Sequence, residues 1–178
     1  MYSKKDIHFL IEKYIENPDS DSLKFINDGC SRDVFFLDEK HVIKISKNTL
    51  SEHIDRGYKS DGIAQTLREM KVDSSVPFEY KYLFNPIVDK GIYAGYLYVV
   101  QDYVRVAGDR WSDSSYEEVC CEINYTQEEI EERLDDIKDI CAMFELEEGD
   151  ILNYCANLGI RQDNEQLVII DYGFPANF

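Results

Sequence analysis

Apolar positions recur along the chain at two spacings. Steps of three and four mark helices, and alternation or short apolar runs mark strands. Ile7, Leu10, Ile11, Tyr14 and Ile15 form one stripe over residues 3–16. Ser3 caps this helix, Asp6 sits in its first turn, and Asn17-Pro18-Asp19 stops it. Residues 23–26, 33–37 and 41–45 are strand-like, with short turns between, which predicts an antiparallel meander. Residues 61–71 predict a second helix, with Ile63, Leu67 and Met70 on one face and Glu69 near the C-terminal end. Residues 86–89 and 96–100 predict two more strands across a turn at 90–95. Residues 126–145 predict a long helix. Thr126 and Glu129 have capping-box spacing, and Ile130, Leu134, Ile137, Cys141 and Phe144 recur at steps of 4, 3, 4 and 3. A loop at 147–157 leads to a hairpin of 158–161 and 167–170. The order is that of an α+β protein. A boundary near 102–107 divides it into residues 1–104 and 105–178, within one compact whole.

Composition narrows the function. With 178 residues, 44% hydrophobic and 13% aromatic, the chain is long and apolar enough to bury a core. Thirty-six acids against nineteen bases give a net charge of −17. That argues against binding a phosphate backbone directly and against docking on anionic lipid. The N-terminal stripe is interrupted by charge too soon for a signal peptide, and no apolar run approaches a membrane span. Cys30, Cys120, Cys121, Cys141 and Cys155 are odd in number and contain no CxxC pair, which points to a reducing, cytoplasmic setting. Cys141 falls on the apolar helix face and is expected in the core. His8, His41 and His53 lie far from one another and from every cysteine, so they offer no metal site or nucleophile–base pair.

The negative charge is concentrated. Residues 109–150 hold sixteen acids and three bases (Arg110, Arg133, Lys138). In the long helix, Glu128, Glu131, Glu132, Asp135, Asp136 and Asp139 fall on the face opposite the apolar stripe. Such a face ordinarily meets solvent. Its charge spacing, one per roughly 3.6 Å at a rise of ~1.5 Å per residue, is also close to that of phosphates along one DNA strand. The face could therefore meet a basic protein as a nucleic-acid mimic would, with Trp111 as an apolar anchor.

Other positions carry chemistry by their order. Gly29 lies in a turn between strands, Val34 follows on the next strand, and Lys44 sits mid-strand in VIK. Glu69 is on the next helix. Asn157 in NLGI and Asp171 in IIDYG come much later, fourteen residues apart. Singly, each has a commoner explanation: a turn glycine, a solvated lysine, an exposed glutamate, a turn asparagine, a strand exit. As an ordered set they resemble the protein-kinase-like fold, closest to the small kinase-like proteins encoded by bacteriophages. The resemblance covers residues 23–173 and leaves out the N-terminal helix. It implies a mainly antiparallel N-lobe within 1–104 and a small, acidic, truncated C-lobe within 105–178. It also implies ATP and Mg²⁺ as cofactors. Gly29 and Val34 match the phosphate-covering loop, Lys44 the lysine that holds the α- and β-phosphates, and Glu69 its helix partner. Asn157 and Asp171 match the metal ligands, with DYG in place of DFG.

The sequence departs from that family in three ways. Asn27 and Arg32 stand where glycines are expected, although Arg32 could itself contact phosphate. Leu152 stands five residues before Asn157, where the catalytic aspartate belongs. Asp150, two residues earlier, is the remaining candidate base. The chain ends at Phe178, without the activation segment and peptide-binding helices of a protein kinase. Two functions follow. The favoured one is a degenerate kinase-like protein that binds a basic partner through its acidic surface, as a phage-encoded inhibitor of a nucleic-acid-binding host defence factor would. The alternative is an active minimal ATP- and Mg²⁺-dependent phosphotransferase.

Overall fold

Ser3 caps α1 (Lys4–Glu16) in a reciprocal capping box with Asp6, and Ile7, Ile11 and Tyr14 form its buried face. The computed structural model describes residues 2–28, 31–57, 61–107, 114–153 and 155–172. Within it α1 packs on an antiparallel sheet built from β1 (Phe25–Asp28), β2 (Arg32–Phe36) and β3 (His41–Thr49), followed by β4 (Ile87–Tyr93) and β5 (Tyr96–Asp102). The strand order is β1-β2-β3-β5-β4. Phe35, Ile43, Ile45, Tyr98 and Val100 face α1 and form one core with it. The Tyr14 hydroxyl donates to buried Asp33 at 2.8 Å, and Lys4 bonds Asp89 at 2.5 Å, so α1 is fastened to the sheet at both ends.

The strands run longer than the apolar runs suggest. The predicted turn at 90–95 is strand as far as Tyr93. Only Ala94 and Gly95 turn, both at positive φ (49° and 88°), in a tight two-residue connection. Leu23 and Lys24 precede β1 rather than opening it, and Arg32 begins β2, paired with Ser46.

Helix α2 (Leu50–Arg56) is a further element, announced by Thr49 and Glu52 in a capping box and by Gly57 at φ 63° beyond its end. Helix α3 (Gly62–Ser75) corrects the expected face. Leu67 is 46% exposed, whereas Ile63, Thr66, Glu69, Val72 and Val76 are buried. Those positions follow steps of 3, 3, 3 and 4, but two of them are polar, and an apolar count passes over them.

By packing, the chain forms two units, residues 1–67 with 87–103 and residues 68–86 with 104–178. The division falls within α3. A single cut near 104 leaves 68–86 with the first part, but that segment belongs to the second unit.

The second unit contains β6 (Arg105–Val106), α4 (Tyr116–Glu122), α5 (Gln127–Phe144), α6 (Glu148–Leu152), β7 (Leu158–Ile160) and β8 (Leu167–Ile169). Its sheet has the order β6-β7-β8. The expected loop at 147–157 thus holds a short helix and a 3-10 turn, and the capping box Ser115–Glu118 announces α4. Helix α5 starts at its predicted Thr126–Glu129 box and buries Ile130, Ile137, Ile140 and Cys141. The core joins these to Val72, Val76, Leu83, Phe84, Tyr116, Leu158, Leu167 and Tyr172. Among the described residues no helix is long and apolar enough to cross a membrane.

Candidate functional site

In the first unit, Lys44 and Val34 are direct cross-strand partners on β3 and β2. Directly opposed residues share a face, so both lie on the side of the sheet away from α1. Lys44 is 7% exposed, not the solvated side chain a strand lysine usually is. Arg32 is also buried, which does not suit a loop cation reaching for phosphate. Gly29 lies outside the described residues, as do Cys30 and Gly173.

The other candidate residues belong to the second unit. Glu69 is fully buried. A buried ammonium or carboxylate persists only when partnered, and Lys44 and Glu69 are each engaged.

Asp150, Asn157 and Asp171 come together. Asp150 lies in α6, Asn157 ends the 3-10 turn 155–157, and Asp171 follows β8. One amide nitrogen of Asn157 donates to the Asp150 carbonyl at 2.8 Å and to its carboxylate at 3.2 Å. The Asn157 carbonyl accepts the Ile170 N–H at 2.8 Å, which ties the residue before Asp171 to the same turn. Burial raises the Asp150 carboxyl to about 6, and the charges of Asp171 and Glu147 add to the rise. The charge of Asp171 therefore reaches the Asp150 carboxyl. Sequence spacing put Asp150 two residues too early. The short helix α6 and the 3-10 turn accommodate those residues and carry Asp150 back to Asn157. Leu152, at the expected position, is half-buried and packs against the core.

The donor set suits a hard divalent cation. Asn157 commits its amide nitrogen to Asp150, which leaves its side-chain oxygen as the donor atom it could offer a cation alongside the carboxylate of Asp171. Both are oxygen donors of the kind Mg²⁺ prefers. Among the described residues no group of three His, Cys, Asp or Glu side chains could hold a metal. One amide and one carboxylate would still serve Mg²⁺, which keeps waters and takes substrate phosphates as its other ligands.

The acidic face of α5 is partly engaged within the chain. Glu128, Glu131, Glu132, Asp135 and Asp139 are exposed and Asp136 is half-buried. Tyr82 donates its hydroxyl to Asp136 at 2.5 Å, Tyr80 to Asp139 at 3.4 Å, and Lys138 pairs with Asp135 at 3.1 Å. Trp111 lies outside the described residues. Arg133 does not offset the acids on that face, because it is 6% exposed. Its Nε donates to the Tyr116 hydroxyl and its Nη2 to the Leu167 carbonyl, both at 2.6 Å. The rings of Tyr82 and Tyr125 flank its guanidinium at 5.0 and 5.1 Å. Sequence reading missed this cluster, and the only signal was a cation at step three of the apolar stripe, between Ile130 and Ile137. Cys141 is in the core as expected, and burial pushes its thiol up to about 12 and that of Cys120 to about 11.

No protein-family model matches the chain, and no curated protein matches it. Solved structures do. A co-crystal structure of WbdD with the kinase inhibitor LY294002 aligns with 84% of this chain at 16% identity and a TM-score of 0.45. A structure of the bifunctional kinase-methyltransferase WbdD aligns with 80% of it at 14% identity and a TM-score of 0.44. The chain spans about a third of the length of these proteins, 32% and 29% respectively.

Proposed function

We propose that this chain is a minimal kinase-like phosphotransferase that uses MgATP to phosphorylate a hydroxyl group. The observation that supports this reading most is the meeting of Asp150, Asn157 and Asp171. The absence of a base five residues before Asn157 weighed against activity at the level of sequence. A carboxylate bonded to the Asn157 amide supplies a candidate in its place.

In this reading Asp171 and the Asn157 amide oxygen hold Mg²⁺, which neutralises phosphate charge when bound. Asp150 takes the proton of the acceptor hydroxyl as that oxygen bonds the γ-phosphorus and the bond to the β-phosphate oxygen breaks, releasing ADP. Transfer of this kind depends mainly on positioning and charge neutralisation. The resemblance assigns Lys44 to the phosphates and Glu69 to the orientation of Lys44. The burial of both supports roles other than solvation.

Thermal unfolding with and without MgATP tests the reading, together with transfer of labelled γ-phosphate. Nucleotide at a hundredfold excess over its dissociation constant stabilises the fold by ~2.7 kcal/mol. The expected shift is lost in Asp171→Ala and in Lys44→Ala. Asp150→Asn keeps binding and loses transfer. No shift and no transfer in the unaltered chain overturn the proposal.

A second reading is favoured by the exposure of Glu128, Glu131, Glu132, Asp135 and Asp139 along one face of α5. In it the chain binds a basic protein there, and in a phage setting it would occupy the basic groove of a host nucleic-acid-binding factor. Capture of such a partner at low salt and its release at high salt is the expected behaviour.

A further inference from the structure

Asp171 sits in a short stretch of backbone that is held on both sides by a single residue. Asn85, 1% exposed, donates its N–H to the Ile169 carbonyl at 3.0 Å. Its own carbonyl accepts the hydroxyl of Tyr172 at 3.3 Å. One bond thus falls two residues before Asp171 and the other one residue after it. Phe84, next to Asn85, makes a parallel bridge to Ile169 and lays its ring across that of Tyr172 at 4.8 Å and 62°. The Phe84 carbonyl is fixed in turn by Arg161, whose Nη2 donates to it at 3.2 Å. Tyr172 is 1% exposed, and a phenol so buried keeps its hydroxyl only at the cost of finding it a partner.

We propose that the Tyr172 hydroxyl is a latch, and that by bonding the Asn85 main chain it holds the Asp171 carboxylate where a divalent cation is bound. Tyr172 is then a positioning residue. The proposal rests on the MgATP reading for the cation, and on the geometry of residues 84–85 and 169–172 for the latch. A phenylalanine at 172 would retain the ring contact with Phe84 and remove the hydroxyl that bonds Asn85, so Tyr172→Phe tests the hydroxyl apart from the ring packing.

The experiment uses the full chain and two measurements. The first is ATP affinity by calorimetry with Mg²⁺ and with EDTA, whose ratio is the gain due to the metal. The second is hydrogen exchange at the amides of Asn85 and Ile170, which needs no nucleotide. In Tyr172→Phe the gain falls three- to tenfold, affinity in EDTA is unchanged, and both amides exchange faster. A loss of packing alone would lower both affinities together. A Tyr172→Phe protein with unaltered gain overturns the latch, provided Asp171→Asn abolishes that gain. If the unaltered chain shows no gain with Mg²⁺, the MgATP reading fails. The exchange data then decide only whether the hydroxyl holds the backbone around Asp171: faster exchange sustains that part, with its role toward a cation overturned, and unchanged protection overturns the latch entirely.

Discussion

Asn157 holds Asp150 by its backbone and its carboxylate at once, through a single amide nitrogen at 2.8 and 3.2 Å. The pair fixes where the Asp150 carboxylate lies relative to Asp171, whose charge helps to raise it.

The first prediction concerns pH. Burial, with the charges of Asp171 and Glu147, raises the Asp150 carboxyl from 3.8 to about 6. Between those values the folded chain binds a proton that the unfolded chain releases. The stability from the neutral carboxyl is thus complete below the lower value and lost as pH rises through the higher one. Denaturant unfolding from pH 4 to 7 should show this decline, and Asp150→Asn should flatten it. Phosphotransfer, which needs the ionised form, should instead rise through the same range and fall ~10²–10⁴-fold in Asp150→Asn.

The second concerns Arg133. Its guanidinium serves the Tyr116 hydroxyl and the Leu167 carbonyl in one planar fork. Lysine is a point donor and cannot reproduce both bonds. Arg133→Lys should cost about 2–4 kcal/mol, because a buried carbonyl or hydroxyl is left without its donor. Arg133→Met keeps similar bulk and removes the buried charge but leaves both partners without their donor, so it should destabilise by a similar amount. Urea midpoints at constant m-value measure both.

These residues show what the sequence discloses and what it withholds. The α5 cap at Thr126–Glu129, the α1 stripe, the β7–β8 hairpin and the β1-β2-β3 meander follow from local spacing and cap chemistry, and the sequence displays them, whereas the pairing of β5 rather than β4 with β3 is a non-local choice that it does not. Arg133 and Glu69 are buried charges on apolar faces, and a pattern that counts only apolar residues assigns both to solvent. The position of Asp150 depends on a five-residue helix and a 3-10 turn too short to leave a periodic signal. The Asn85–Tyr172 bond joins residues 87 positions apart, and no local rule pairs them.

The third prediction concerns Gly159 on β7. A Cβ there would collide with the Val104 side chain and lie 2.7 Å from Ile170 Cγ2. Neither neighbour is the loose end of a long side chain, so strand and neighbour must move apart. Gly159→Ala should destabilise by about 1–3 kcal/mol, the usual cost of overpacking. Because Ile170 adjoins Asp171, the same variant should weaken MgATP binding more than ATP binding in EDTA.

The fourth concerns the α5 acids. Glu128 and Glu132, and Glu131 and Asp135, stand four apart on the helix, where like charges repel by about 0.2–0.5 kcal/mol per pair. Glu132 also stands four before Asp136. Glu132→Gln relieves two such pairs, so it should raise thermal stability slightly at low ionic strength, and the gain should fade as salt is added. The triple variant Glu128→Gln, Glu131→Gln, Glu132→Gln leaves the Tyr80–Asp139 and Tyr82–Asp136 bonds intact. It should keep its fold and, if this face meets a basic partner, bind a lysine-rich peptide more weakly, with a shallower dependence on salt. Equal binding by the triple variant and the unaltered chain would remove α5 as the docking face and leave its acids as a solvated surface.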